Sequence, residues 1–386
     1  MKLMVSAKPF TAELKSVLPA VANRPGLPML SGVRLEVSEG EVAIEATDLE
    51  LTARRVVRRE VTVDGAGSVV VPAKALVKAI AAMGEPEIVL ESDSSDGRAG
   101  LDVRAGTRTV TLQGWPTDDW PAVPQVAAID PMIASIDASA ARDAFERVAL
   151  CASDDEARPV LTCVALFFRE DPPALEVVAT DSYRLGVARL PLEAGFRVSD
   201  GPLLVPARGI RFLSRQLKGA EGAVQVRALE ASAGEPSRAS RIAFSRPDAE
   251  WTVRTVEGEF PNWKQVVPNP EGGSFEFDPE ELGSALRAAT SVRSTKGAPV
   301  RLTLDRTCSL ALKDPDVGEM REALTEAKFS PNGAGAMEVA FNPEYLVDAV
   351  RFCGAERGRM WVRDGLKPAL FEGPERRYVL MPIRLP

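Results

Sequence analysis

The chain of 386 residues contains no histidine. Ser-His-Asp and Cys-His nucleophile systems and histidine-ligated zinc are therefore excluded. Its four cysteines, Cys151, Cys163, Cys308 and Cys353, form no CxxC pair. They read as small core residues of a reduced protein, not as a disulfide frame or a metal cage. Neither a GxxxxGK(S/T) loop nor a GxGxxG fingerprint occurs, which removes the common nucleotide cradles. No apolar run approaches about 18 residues, and the first stretch, MKLMVSAKPFTAELK, lacks the apolar core of a secretory signal. The expectation is a cytoplasmic protein with no membrane contact. An enzyme is not excluded, but its commonest tools are missing.

What the chain has is repetition. "VVVPAKALVKAI" (69–80) resembles "LLVPARGIRFLS" (203–214), "IEATDLEL" (44–51) resembles "VVATDSYRL" (177–185), and "LPMLSGVRLEV" resembles "RPVLTCVALFF". The offsets are 131 residues from Pro28 to Pro159, 133 from Asp48 to Asp181 and 134 from Pro72 to Pro206. A third copy is weaker: "APVRLTLD" (298–305) and "VAFNPEYLVDAVRF" (339–352) fall in place, with Pro343 lying 137 residues after Pro206, but no ATD phrase is visible. This is a triplicated domain, longer than any solenoid repeat. Pro- and aromatic-rich stretches at 115–124 and 258–268 read as linkers, giving units 1–124, 125–258 and 259–386.

Each unit carries two helical patterns. The first ones are "KPFTAELKSVLPAV", "ASAARDAFERVALCA" and "DPEELGSALRAATSV", and the second ones follow Pro72, Pro206 and Pro343, where proline in a first turn loses no hydrogen bond. Segments such as "RTVTLQG", "RIAFS" and "WTVRTV" alternate apolar and polar residues, as half-buried antiparallel strands do. The predicted class is α+β, two helices packed on antiparallel sheets in each unit.

Charge is segregated. The chain has a formal net charge of −8, yet the six helical segments together carry +7, leaving −15 elsewhere. The helix in "VPARGIRFLSRQLKG" (205–219) concentrates it: at 100° per residue Arg208, Arg211, Arg215 and Lys218 fall within about 80° of one another, opposite Ile210, Leu213 and Leu217. A charge stripe on one helix is ordinarily a solvated surface. Across a triplicated domain it favours a concave or enclosed face toward a polyanion, the acidic remainder discouraging nucleic acid elsewhere.

The phrases "NRPGLPMLSGV", "ATDLEL", "VATDSYRLGVARLPL", "EGEFPNWKQVVP" and the terminal "YVLMPIRLP" resemble those of the bacterial DNA polymerase III beta subunit, the sliding-clamp family, from end to end. The resemblance implies three DNA-clamp domains closing as a head-to-tail homodimeric ring around duplex DNA. It implies no catalytic activity, no metal and no cofactor. It also implies opening by a clamp loader, and tethering of the replicative polymerase and other replication and repair proteins as a processivity factor. Twelve helices at about 10 Å each would line a hole about 28 Å across. The DNA-facing residues implied are Arg24, Lys74, Lys78, Arg208, Arg211, Arg215 and Lys218; the second-unit counterpart of the Arg24 loop, "SDDEAR", is acidic. The partner-peptide groove implied comprises Leu161, Thr180, Tyr183, Arg184, Leu185, Pro261, Val266, Leu286, Asn342 and Tyr345, with Val379, Leu380, Met381, Pro382, Ile383 and Arg384. The dimer would set Val110 and its neighbours against the region around Leu282.

Three departures from the family stand out: Ser182 and Tyr183 replace a common Gly-His, Gln265 replaces a basic residue, and Pro386 follows the usual terminal leucine. A specialised clamp copy with altered peptide preference, or a peptide-binding scaffold that no longer encircles DNA, remains open. So does a magnesium enzyme using Asp48, Glu50 and Asp181, against which stands the ordinary use of such aspartates to bond the following turn.

Overall fold

A computed structural model describes all residues except 93–98, 124–131, 193–200, 231–238, 295–297, 334, 355 and 385–386. The expected boundary between residues 124 and 125 lies outside the described residues. The chain gathers into two compact units. One holds Met1–Ala138 and Arg215–Thr255; the other holds Ser139–Leu192, 201–214 and Val256–Pro386.

The six expected helices form: α1 (Ala7–Val17), α2 (Ala73–Met83), α3 (Ala138–Val148), α4 (Ala207–Gln216), α5 (Pro279–Ser291) and α6 (Pro343–Cys353). Each is amphipathic for the reason its sequence suggests. In α1, Phe10, Leu14 and Val17 recur at helical spacing and are buried. Pro343 is the first residue of α6, with Asn342 capping it by accepting from the Glu344 N–H at 2.9 Å. Asp278 caps α5 by accepting from the N–H groups of Glu280 and Glu281.

The strands repeat three times with one plan. A first strand leads into the first helix: Lys2–Ser6, Met132–Asp137 and Gly273–Phe277. A three-stranded meander follows: Gly32–Ser38, Glu41–Thr47 and Leu51–Val57; then Cys163–Arg169, Ala174–Thr180 and Arg184–Pro191; then Val300–Leu304, Cys308–Asp314 and Gly318–Leu324. A strand then feeds the second helix, preceded in the first and third copies by an extra one, Val61–Gly65 and Lys328–Ser330, and three more close each copy, ending in Arg108–Gln113, Ala249–Arg254 and Arg376–Leu380.

These strands make four antiparallel sheets, and two of them join consecutive copies. In an eight-stranded sheet Ala249–Arg254 pairs with Leu51–Val57, Val253 lying opposite Leu51 and Ala249 opposite Arg55. In a nine-stranded sheet Arg376–Leu380 pairs with Arg184–Pro191, Leu380 opposite Arg184 and Arg376 opposite Ala188. The register is the same at both seams. The corresponding strands at the two ends of the chain, Arg108–Gln113 and Gly318–Leu324, are edge strands of their sheets.

The structure also supplies the phrase that the third copy lacks in sequence. Thr47 and Thr180 end their strands, and each Oγ accepts from the backbone N–H two residues on, Leu49 at 3.0 Å and Ser182 at 3.2 Å. In the third copy Asp314 pairs with Gly318 as Asp181 does with Arg184, and its Oδ1 accepts from the Asp316 N–H at 3.0 Å as that of Asp181 does from the Tyr183 N–H. The aspartate is kept while its neighbours change and the turn gains a residue, so "LKDPDVGEM" is the missing counterpart.

The two expected linkers are packed segments. Trp120 is buried against Met29 and Val70, its Nε1 donating to Glu45 at 2.6 Å. Burial dominates at that carboxyl and raises its pKa, the Trp120 hydrogen bond opposing it in part. Trp263 lies against Leu185, Val187 and Val379 at the seam of the nine-stranded sheet.

Candidate functional site: an apolar groove and a basic helix

The groove lies where two strands of the nine-stranded sheet meet the packed 256–268 segment. Alternation along a strand turns Leu185 and Val379 to the same face. Leu161, Thr180, Pro261, Val266 and Met381 complete an apolar pocket of 290 Å³, with Ser182 and Tyr183 on its rim, Arg184 beneath them and Trp263 and Asn262 in its wall. Val266, Tyr183 and Met381 are 56%, 62% and 44% exposed. Large apolar groups this open, ringed by polar ones, are a binding surface rather than core.

The rim is built by the ATD phrase. Asp181 Oδ1 accepts from the N–H groups of Tyr183 and Arg184, both at 2.9 Å, and Thr180 Oγ donates to the Arg184 carbonyl. The turn holds Ser182 at φ +80°, as Leu49 is held at +76° in the first copy. At this position the family's glycine would sit without strain. Asp48 likewise accepts from the N–H groups of Glu50 and Leu51. Both aspartates thus bond their own turns, as the structural reading of them expects.

Arg184 is fixed beneath the rim. Its Nε donates to Asp181 at 2.9 Å and a terminal nitrogen to Asp348 of α6 at 2.6 Å, while its guanidinium lies 4.2 Å from the Tyr345 ring centroid. The arrangement is charge-paired, stacked and 11% exposed at the side chain. The terminal segment is tied to the same place. Met381 donates its N–H to the Tyr183 carbonyl at 2.9 Å, and Ile383 to that of Ala340 at 2.7 Å.

Nine of the sixteen expected groove residues therefore line the pocket. Two expected residues lie outside the lining: Leu286 is wholly buried inside α5 against the core, and Leu380, next to Val379, points to the opposite and buried face of its strand. Asn342 caps α6 and Tyr345 supports Arg184 from below the rim. Pro382, Ile383 and Arg384 continue past Met381, outside the pocket lining. Sequence reasoning misses Trp263 because its proline-rich surroundings read as a linker; its indole is the signal that the segment is docked.

Arg208 and Arg215 on α4 and Lys218 just past its end are exposed, while Arg211 is half-buried and donates to the Ala149 carbonyl at 2.9 Å. The stripe is thus three exposed cations and one that ties α4 to the turn after α3. Lys74 and Lys78 are on α2, and Lys74 Nζ reaches Asn23 Oδ1 at 3.4 Å, beside exposed Arg24. The acidic loop of the second copy closes on itself: Asp155 accepts from the Ala157 N–H and the Arg158 guanidinium, which hold its carboxyl below the usual range. Among the described residues no group of three or more potential metal ligands occurs, and no helix is long and apolar enough to cross a membrane.

Comparison with known proteins covers the whole chain. Three family models match in order: the DNA polymerase III beta subunit N-terminal domain over residues 1–124, its central domain over 135–262 and its C-terminal domain over 264–384. The Beta sliding clamp of Synechococcus elongatus is 26% identical over 100% of both chains, and that of Vibrio cholerae is also 26% identical over 100% of both. The sliding clamp of Bacillus subtilis superposes with a TM-score of 0.88 at 20% identity, covering 100% of each chain. The clamp of Bartonella birtlesii, solved bound to griselimycin, superposes at 0.85 with 25% identity and the same coverage. This chain belongs to the DNA polymerase III beta subunit family.

Proposed function

We propose that this protein is a DNA sliding clamp, a non-catalytic ring that encircles duplex DNA and tethers the replicative polymerase. The observation that carries the ring is the repeated seam. Two of the three strand pairs needed to close three copies on themselves exist within the chain, in one register. The two strands left over are edges of the matching kinds. In every copy the last strand enters from an equivalent hairpin, with Arg108, Ala249 and Arg376 at the same place. Carrying the register across sets Leu112 of one chain opposite Gly318 of the next, Val110 opposite Met320, and Arg108 opposite Glu322. A head-to-tail pair of chains closes both open edges, as exposed edges require. Leu282 is buried in its own copy, and this reading instead puts the 318–324 strand opposite Val110.

Within this reading the units are 1–124, 125–258 and 259–386, working in the cytoplasm. The exposed cations of α4, the lysines of α2 and Arg24 meet the phosphate backbone without reading bases, which permits sliding. The apolar pocket takes short linear peptides of the polymerase, the clamp loader and other replication and repair proteins. A bound ligand on the Bartonella relative supports a ligand-binding surface. The full-length likeness to clamps disfavours a scaffold that has given up DNA.

Retention on DNA tests it. Loaded by a clamp loader onto a nicked circle, the protein is expected to stay until the circle is linearised and then to leave by the ends. Equal loss from circle and linear form would reject topological binding.

A further inference from the structure

Beyond Trp263 the groove does not end. A second cavity, of 390 Å³, shares Trp263 with the apolar pocket and is lined by Glu176, Arg189, Glu372, Glu375, Arg376 and Arg377. Strand alternation makes it an extension of the same face: Leu185, Val187 and Arg189 lie in one row, Val379 and Arg377 in the row beside it. Each arginine has a carboxylate opposite it in the strand ladder, Glu176 for Arg189 and Glu372 for Arg377, and both carboxylates bond other donors. Glu176 holds Arg169 at 2.7 Å and Glu372 accepts from the Trp361 indole at 2.6 Å. Of the basic ones, Arg376 is paired with Asp143 at 2.6 Å. The Arg189 guanidinium makes a 3.4 Å bond to the Pro172 carbonyl, and neither it nor exposed Arg377 forms an ion pair among the described residues. Lys264 adds a third cation 5.7 Å from the centroid of the Trp263 ring. Against these stands the exposed carboxylate of Glu375 on the hairpin turn.

We infer that the 390 Å³ cavity is a second subsite of the peptide groove, in which Arg189 and Arg377 select an acidic residue flanking the apolar anchor. The inference rests on the peptide-groove reading above. The apolar pocket supplies affinity through burial, and the arginine pair supplies discrimination between partners. Arginine suits the task, since its fork meets a carboxylate at two points and stays charged at every physiological pH.

The test uses fluorescein-labelled synthetic peptides carrying a Leu-Phe anchor, with Asp-Asp, Ser-Ser or Lys-Lys placed on one flank or the other. Anisotropy titration of the full-length protein is expected to give about fivefold tighter binding for Asp-Asp than for Ser-Ser on one flank, with Lys-Lys weakest. The difference disappears in Arg189→Ala/Arg377→Ala, and Arg377→Glu turns the preference toward Lys-Lys, while the Ser-Ser peptide binds all variants alike. Equal binding of the three flanks on both sides, or a preference that survives both variants, overturns the subsite and leaves the apolar groove standing. Failure of every anchor peptide to bind would reject the groove itself, and the subsite with it.

Discussion

The seam register makes a demand on one side chain. Val110 is half-buried on an edge strand, and the proposed seam would set it against Met320, also half-buried, on a second chain. Val110→Glu takes an apolar side chain out of the seam and puts a carboxylate there, one diagonal step from Glu322. The forgone burial costs about 1.5 kcal/mol, and confining an unpaired carboxylate adds a comparable amount, so about 3 kcal/mol per seam. Two seams would hold the proposed ring, so separation into single chains would be favoured by about 6 kcal/mol, roughly a ten-thousandfold rise in Kd. Light scattering over a dilution series reads this directly. The unmodified protein is expected to hold a mass near twice 41.4 kDa, and the variant to fall toward a single chain. Met320→Lys should weaken the dimer alone and recover at least tenfold of the lost affinity when combined with Val110→Glu, since opposite charges across a strand pair attract. A Val110→Glu protein that stays dimeric at every dilution, or a double variant no tighter than the worse single one, would refute the register.

Other parts of the structure make narrower demands. Arg215→Gln/Lys218→Gln should lower retention on circular DNA and reduce the salt slope of binding by about one for each phosphate left without its cation, whereas Arg211→Gln should mainly cost stability, about 1 kcal/mol for its bond to Ala149. Arg184→Met removes the arginine that Asp181 and Asp348 share, leaving Asp348 only Arg351 at 3.8 Å; a drop of about 3 kcal/mol and several degrees in Tm by calorimetry is expected, together with loss of anchor-peptide binding. Burial pushes the Cys163 thiol up to about 11 and that of Cys353 to about 12. Because the unfolded chain sheds these protons first, their stabilisation is complete below the thiol's ordinary value of 9.0 and is lost as pH climbs from there through 11 and 12. The urea midpoint should therefore fall between pH 8 and pH 10.5 in the native protein and fall less in Cys163→Ala; identical falls would place the loss elsewhere.

Much of the fold is legible because it is written three times. The helices follow apolar spacing that survives in each copy, and the Val-Pro-Ala and ATD phrases mark two fixed turns. The third ATD turn is hidden because only its aspartate survives. Asp48, Asp181 and Asp314 each accept from the backbone N–H two residues on, but the preceding threonine gives way to Lys313 and the turn gains a residue. The joining of consecutive copies in one sheet is not legible either. Strand alternation fixes which face is buried, but it does not say which neighbour completes an edge.

The site divides along the same line. Leu185 and Val379 can be assigned to one wall from the resemblance, but only the register distinguishes Val379 from Leu380, which differ by one residue and face opposite ways. Leu286 defeats the sequence because a leucine on an amphipathic helix carries no mark of whether its apolar stripe ends at a groove or continues into the core. Trp263 shows the converse. A tryptophan between prolines and charged residues has nothing local to pack on, so its burial must come from a distant surface. Here that surface is the strand seam, where the indole divides an apolar pocket from a charged one. A segment that joins two copies in sequence thus becomes the partition that gives the groove two chemistries. Substituting Trp263 should then merge them, relaxing the discrimination among flanking residues more than it weakens the anchor.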